Sequence, residues 1–275
     1  MNMYKRELKA HWKGWLIWCV AMFLMVILCM AKFQAGSGTA GTAGANSLTD
    51  IINKMPAYMK NLFGVGVFDM RKALDYYGAV FIYVALCAAV HAVMLGASML
   101  GREERDKTIE FLAVKPVTRA QIITSKLLAG VTMIVVLNIV TLVASMMMVG
   151  QYQTGSDVTA GILALMGGMF GIQLIFLGIG TVCAACMKKS TRAGTLSMVV
   201  MLVTFFLTML IQMAGNIDFL KILTPFEYFD AKEVLYGGAR GVPAFSALWP
   251  ILTAAVIAAC LACSYIFYKK RDLKV

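Results

Sequence analysis

Charged residues are scarce in this sequence: Asp, Glu, Lys and Arg together make up 14% of its 275 residues, against 60% hydrophobic ones. A soluble domain of this length cannot bury so much apolar surface, which excludes a water-soluble fold and leaves lipid as the solvent. Histidine occurs only twice, at His11 and His91, and there is no H-E-x-x-H pair and no serine with a base beside it in sequence. Hydrolytic and metal-assisted chemistry therefore have little to stand on. The chain also lacks a G-x-x-x-x-G-K-S/T loop, so ATP hydrolysis through the usual phosphate cradle needs a partner. No internal repeat is evident, which argues against the carriers built from repeated halves.

What is there is six long stretches free of charge. A bilayer core of about 30 Å needs roughly 20 helical residues. Spans are predicted over residues 14–32, 76–101, 125–149, 158–186, 193–215 and 246–268. The third and fourth are separated by the turn-rich Gly150–Ser156 and the single charge Asp157, enough for a short hairpin loop. The fold class expected is all-α integral membrane, a single domain over 1–275, with external loops 33–75 and 216–245.

Orientation follows from Lys and Arg, which are retained on the cytoplasmic side during insertion. With the N-terminus inside, residues 1–13, 102–126, 187–192 and 269–275 hold 17 Lys+Arg and 6 Asp+Glu, whereas 32–75, 150–157 and 217–240 hold 8 of each. The entire net charge of +11 then lies on the cytoplasmic side, facing anionic headgroups, and leaves no surplus for nucleic acid. Both termini are expected to be cytoplasmic. Met3–Lys13 mixes basic residues with Tyr4, Leu8 and Trp12 and reads as an N-terminal interfacial helix.

Two further stretches suggest short external helices. Ile51, Ile52, Met55, Met59, Leu62 and Phe63 recur at helical spacing around Pro56. Between the last two spans, Thr224 is expected to cap a helix with Pro225 at its first position, ended by Gly237-Gly238. Within the spans, His91, Asn138, Gln173 and Gln212 are candidates for a translocation path, because polar groups there tend to face the bundle interior. Gly167 and Gly171 form a small-xxx-small pair suited to close helix contact. The spacings Cys183-x-x-Cys186 and Cys260-x-x-Cys263 match paired metal ligands, but both lie inside apolar helices where cysteine serves as a small apolar residue. No metal site is assigned to them.

The cytoplasmic loop 102–121 carries the functional argument. Its charged helix must break before Pro116, and Thr118 with Gln121 forms a capping box that starts the next helix. Between them Ile109, Phe111 and Leu112 lie among charges, either as a docking knob for another protein or tucked under their own bundle. The run Glu103/Glu104…Thr108-Ile109-Glu110-Phe111-Leu112…Lys115-Pro116-Val117-Thr118-Arg119…Lys126 resembles the signature loop of the type-2 ABC exporter permeases. Leu223–Asp230 is similar to that family's external segment before the last span, and Phe267–Leu273 to its C-terminal ending. One departure, Asp106-Lys107 where a glycine is common, bears on local backbone shape.

The resemblance implies a permease subunit that pairs with a second copy or a related permease and engages separate ABC ATPase subunits. Glu103, Glu104, Thr108, Ile109, Glu110, Phe111 and Leu112 would couple it to them. The chain itself would bind no cofactor; ATP and Mg would sit in the partner ATPase. It further implies a multi-pass protein of a bacterial plasma membrane, exporting a peptide antibiotic, drug or lipid. The alternative is a polytopic membrane enzyme or an ATP-independent carrier.

Overall fold

The computed structural model describes residues 3–36, 56, 59–60, 67–105, 118–187, 190–214, 218–240, 242 and 244–270. Helices dominate them: α1 (Met3–Gly36), α2 (Ala73–Arg105), α3 (Arg119–Gly150), α4 (Ser156–Cys186), α5 (Ser190–Ala214), the single turn α6 (Asp218–Lys221), the short α7 (Ala231–Tyr236) and α8 (Leu248–Lys270). Six are long and apolar enough to cross a bilayer, and no β-strand is found among the described residues. The start of α1, the end of α2, the start of α3 and the end of α8 lie at one end of the bundle, here the near end. The α3–α4 hairpin and the α5–α8 segment lie at the far end.

The helices do not share the interior equally. In α2 and α4, 61% and 67% of the apolar stretch is buried, against 22%, 22% and 17% in α1, α5 and α8. The centre is thus an α2–α4 pair, with α1 lying against α3, α5 against α2, and α8 against α4. Glycine sets that pair's approach. A Cβ on Gly96 would lie 2.4 Å from the Leu177 carbonyl oxygen, and one on Gly180 would lie 2.5 Å from that of Val93, so the helices cross backbone to backbone. The outer helices present apolar stripes, such as Leu16, Ile17, Val20, Leu24 and Leu28 on α1 and Leu196, Val199, Val203, Phe206 and Leu210 on α5. Lipid is the solvent such stripes require.

Three expectations are revised. Residues 3–13 run into the first span without a break, giving one helix of 34 residues, longer at about 1.5 Å per residue than the bilayer core. The reason is packing: Tyr4 donates to Thr132 Oγ1 (3.0 Å) and Trp15 to the Met133 carbonyl (3.0 Å), which holds these turns against α3. Secondly, a Cβ on Gly167 would meet nothing within 4 Å, while Gly168 and Gly171 make room chiefly for the Phe229 ring, with Thr253 of α8 a further 3.6 Å contact at Gly171. Thirdly, the helix expected to begin at Thr224 is split into a 3-10 turn, Glu227–Phe229, and α7. The Thr224 hydroxyl donates to the Lys221 carbonyl (3.3 Å), and the Asp230 carboxylate caps α7 instead by accepting from the Lys232 amide.

Local signals elsewhere hold. Thr118 and Gln121 form the reciprocal capping box of α3. The α3–α4 hairpin turns through Gly155, whose φ of 154° lies at the edge of the region that favours glycine. Around Pro56, the amides of Met59 and Lys60 donate to its carbonyl, one turn of helix; the remainder of 51–63 lies outside the described residues.

Candidate functional site

At the near end, Lys126 is fully buried although it carries a charge. It sits two turns into α3, where its ammonium donates to the carbonyl of Met99 on α2 and pairs with Glu7 of α1 at 3.5 Å. Glu7 is itself only 2% exposed and is flanked by Arg6 at 3.4 Å and His11 at 4.0 Å. A buried charge persists where partners satisfy it, and one lysine here joins three helices near the end of α2 and the start of α3. The Arg119 guanidinium donates to the Lys269 carbonyl (3.1 Å) and Thr124 shares a hydrogen bond with Tyr265 (2.6 Å), tying the same turns of α3 to α8. The end of α2 and the start of α3 are therefore both anchored to the bundle.

Of the coupling residues expected from sequence, Thr108, Ile109, Glu110, Phe111 and Leu112 lie outside the described residues. Glu103 and Glu104 fall in the last turn of α2. The Glu7–Lys126 joint was not anticipated. Its signal is the capping box: once α3 begins at Arg119, Lys126 must lie two turns inside a helix, and a lysine there needs a partner.

The four polar candidates within the spans occupy three separate seams. Asn138 on α3 donates to Gln173 on α4, leaving Asn138 Oδ1 and Gln173 Nε2 without partners. His91 on α2 lies against Trp18 of α1, ring centres 5.5 Å apart, with its Nδ1 unpaired. Gln212 on α5 turns instead to the far-end segment, donating to Glu227 (3.1 Å). Only Asn138 and Gln173 are brought together. The thiols of Cys260 and of Cys183 come near one another where Gly178 lets α8 approach α4. No three His, Cys, Asp or Glu side chains cluster as a metal would need among the described residues.

At the far end, Asp75 in the first turn of α2 is 1% exposed. It accepts from Tyr236, from Arg240 (2.7 Å) and from the Asp69 amide (2.7 Å). Arg240 also donates to the Val67 carbonyl (2.8 Å) and lies 3.8 Å over the Tyr236 ring, which holds it at φ 51°, a conformation rare for residues with a Cβ. This clasp fastens the end of α7 to α2. The preceding residues dip between helices: Phe226 packs on Phe176 and Phe205 (5.2 and 5.6 Å), and Tyr228 stacks on Trp249 (5.4 Å, 14°).

The chain matches the family described as "ABC-2 family transporter protein" over residues 1–273. No curated protein matches it.

Proposed function

The chain belongs to the ABC-2 family of transporter proteins, and from that premise we propose that it is the permease half of an ATP-driven exporter whose near end is cytoplasmic. As a member of that family it is a multi-pass membrane component, not catalytic by itself, of a kind that works with an ABC ATPase subunit. In the proposed cycle, ATPase subunits bind ATP and Mg, close on one another and move the 102–121 loop. The loop carries Glu103, Glu104, Thr108, Ile109, Glu110, Phe111 and Leu112 against them. A second permease, identical or related, completes the transporter in a bacterial plasma membrane. The substrate is a peptide antibiotic, drug or lipid, and the intramembrane groups His91, Asn138, Gln173 and Gln212 are the polar contacts available to it.

The observation that carries the reading is the joint under the loop. A push on either strand of 102–121 reaches α2 through Met99, α1 through Glu7 and α8 through Arg119, because Lys126 and Arg119 hold these elements to the start of α3. A movement entering there is shared by four helices rather than absorbed by one. The test is co-purification with the candidate ATPase in detergent, comparing wild type with Glu110→Lys and Phe111→Asp. The expected result is loss of the ATPase, or of its stimulated hydrolysis, with the permease still folded. Unchanged association would put the membrane enzyme or ATP-independent carrier ahead.

A further inference from the structure

Glu227 is the one carboxylate of the far-end segment buried without a basic partner in contact among the described residues. It is 4% exposed, and its hydrogen bond comes from the neutral amide of Gln212. Asp75, equally buried, has Arg240 against it. Its chain neighbours seat among apolar rings, Phe226 on Phe176 of α4 and Phe205 of α5, and Tyr228 on Trp249 of α8, whose indole also donates to Glu233 (3.3 Å). The charges that act on it belong to its own segment: Asp230, which opposes ionisation, and Lys221 and Lys232, which favour it through space. A narrow cavity of about 30 Å³, room for a water or two, lies between α2 and this segment and is lined by Gln212, Phe226 and Asp230 among others.

We propose that Glu227 is a proton-binding site that sets how firmly residues 222–236 are seated between α4, α5 and α8. Neutral, the carboxyl fits its apolar surroundings and keeps the Gln212 hydrogen bond. Ionised, it is a buried charge beside Asp230 with no cation in contact, and the segment is loosened.

Burial, reinforced by Asp230, pushes the Glu227 carboxyl up from 4.5 to about 7. An acid whose seated value is raised stabilises the seat fully below its ordinary value and loses that contribution as pH rises through the seated value. Seating is therefore firm at acid pH and weakens as pH rises from 4.5 to about 7. This inference goes beyond the transport reading and does not depend on it.

The stack of Tyr228 on Trp249, next to Glu227, is a built-in reporter. The experiment is a pH titration of tryptophan fluorescence in detergent-solubilised full-length protein, with Trp249→Phe subtracted to isolate the Trp249 signal. Wild type is expected to show a red shift on alkalinisation with a midpoint near 7, and Glu227→Gln to hold the acid-state spectrum throughout. Asp230→Asn keeps a good helix cap while removing a repelling charge, so it should lower the midpoint, which a purely structural role for these residues would not do. A pH-invariant wild-type signal, or a transition that survives Glu227→Gln unchanged, would overturn the proposal. If Glu227→Gln does not fold, an unmoved midpoint in Asp230→Asn overturns it equally.

Discussion

The two ends of the bundle both bury charge, and they do so in opposite ways. At the near end the buried group is a lysine, and its acid partner comes from another helix, so the contact is between elements that already cross the membrane. At the far end the buried groups are carboxylates, and they hold down a short segment that does not cross: Asp75 through Tyr236 and Arg240, Glu227 through Gln212. The near end is a joint between permanent pieces. The far end is a fastening on a short segment that does not cross. Between them runs the α2–α4 crossing, where backbone meets backbone at Gly96 and Gly180 and no polar contact is needed. In the proposed cycle this division would supply a stiff axis, a shared joint and a releasable cover.

The contrast is open to attack from either side. Lys126→Met leaves Glu7 buried without its principal partner and should cost about 3–5 kcal/mol, read as a lower midpoint in thermal unfolding. Glu7→Gln in the same chain should recover much of that loss, and failure to do so would mean that the lysine matters for something other than the pair. Breaking the shared axis should come next. Gly180→Val drives a side chain into the Val93 carbonyl and should cost about 3 kcal/mol, seen as a fall in monodisperse protein on size exclusion.

The far-end fastening should be weaker, since Arg240 is one-third exposed. Asp75→Asn is expected to cost about 1–2 kcal/mol, with faster amide exchange confined to residues 231–240 and none near Lys126. Exchange rising equally at both ends would erase the distinction between joint and fastening. Smallest of all, Thr118→Ala removes the α3 cap and should cost about 1 kcal/mol, fraying the first turn of α3 and slackening Arg119 from the end of α8.

The difference between the ends also explains what was readable in the sequence. Apolar runs long enough for lipid and a capping box are local signals, and they placed six helices and the start of α3 correctly. The cap at Thr224 failed because its hydroxyl turned back to Lys221 and Asp230 lay six residues on, a choice settled by how Phe226 and Phe229 seat among α4, α5 and α8. Gly167 and Gly171 show the same limit. Spacing marked a smooth patch on α4, but only the tertiary arrangement reveals that Phe229 occupies it and that the helix crossing uses Gly180 and Gly96 instead. The buried pair Glu7 and Lys126 is 119 residues apart in the chain. Polar residues in spans likewise announce that they need partners without saying which: Asn138 and Gln212 found theirs in two different seams, whereas His91 lies against the Trp18 ring with its Nδ1 unpaired.

The most direct test of the central claim, that the 102–121 loop is where a partner ATPase drives this permease, is photocrosslinking in native membranes with a benzophenone amino acid in place of Phe111. The account predicts a crosslink to the ATPase that disappears when the ATPase is not expressed. A crosslink formed only to the permease's own helices, unchanged by the ATPase, would contradict it.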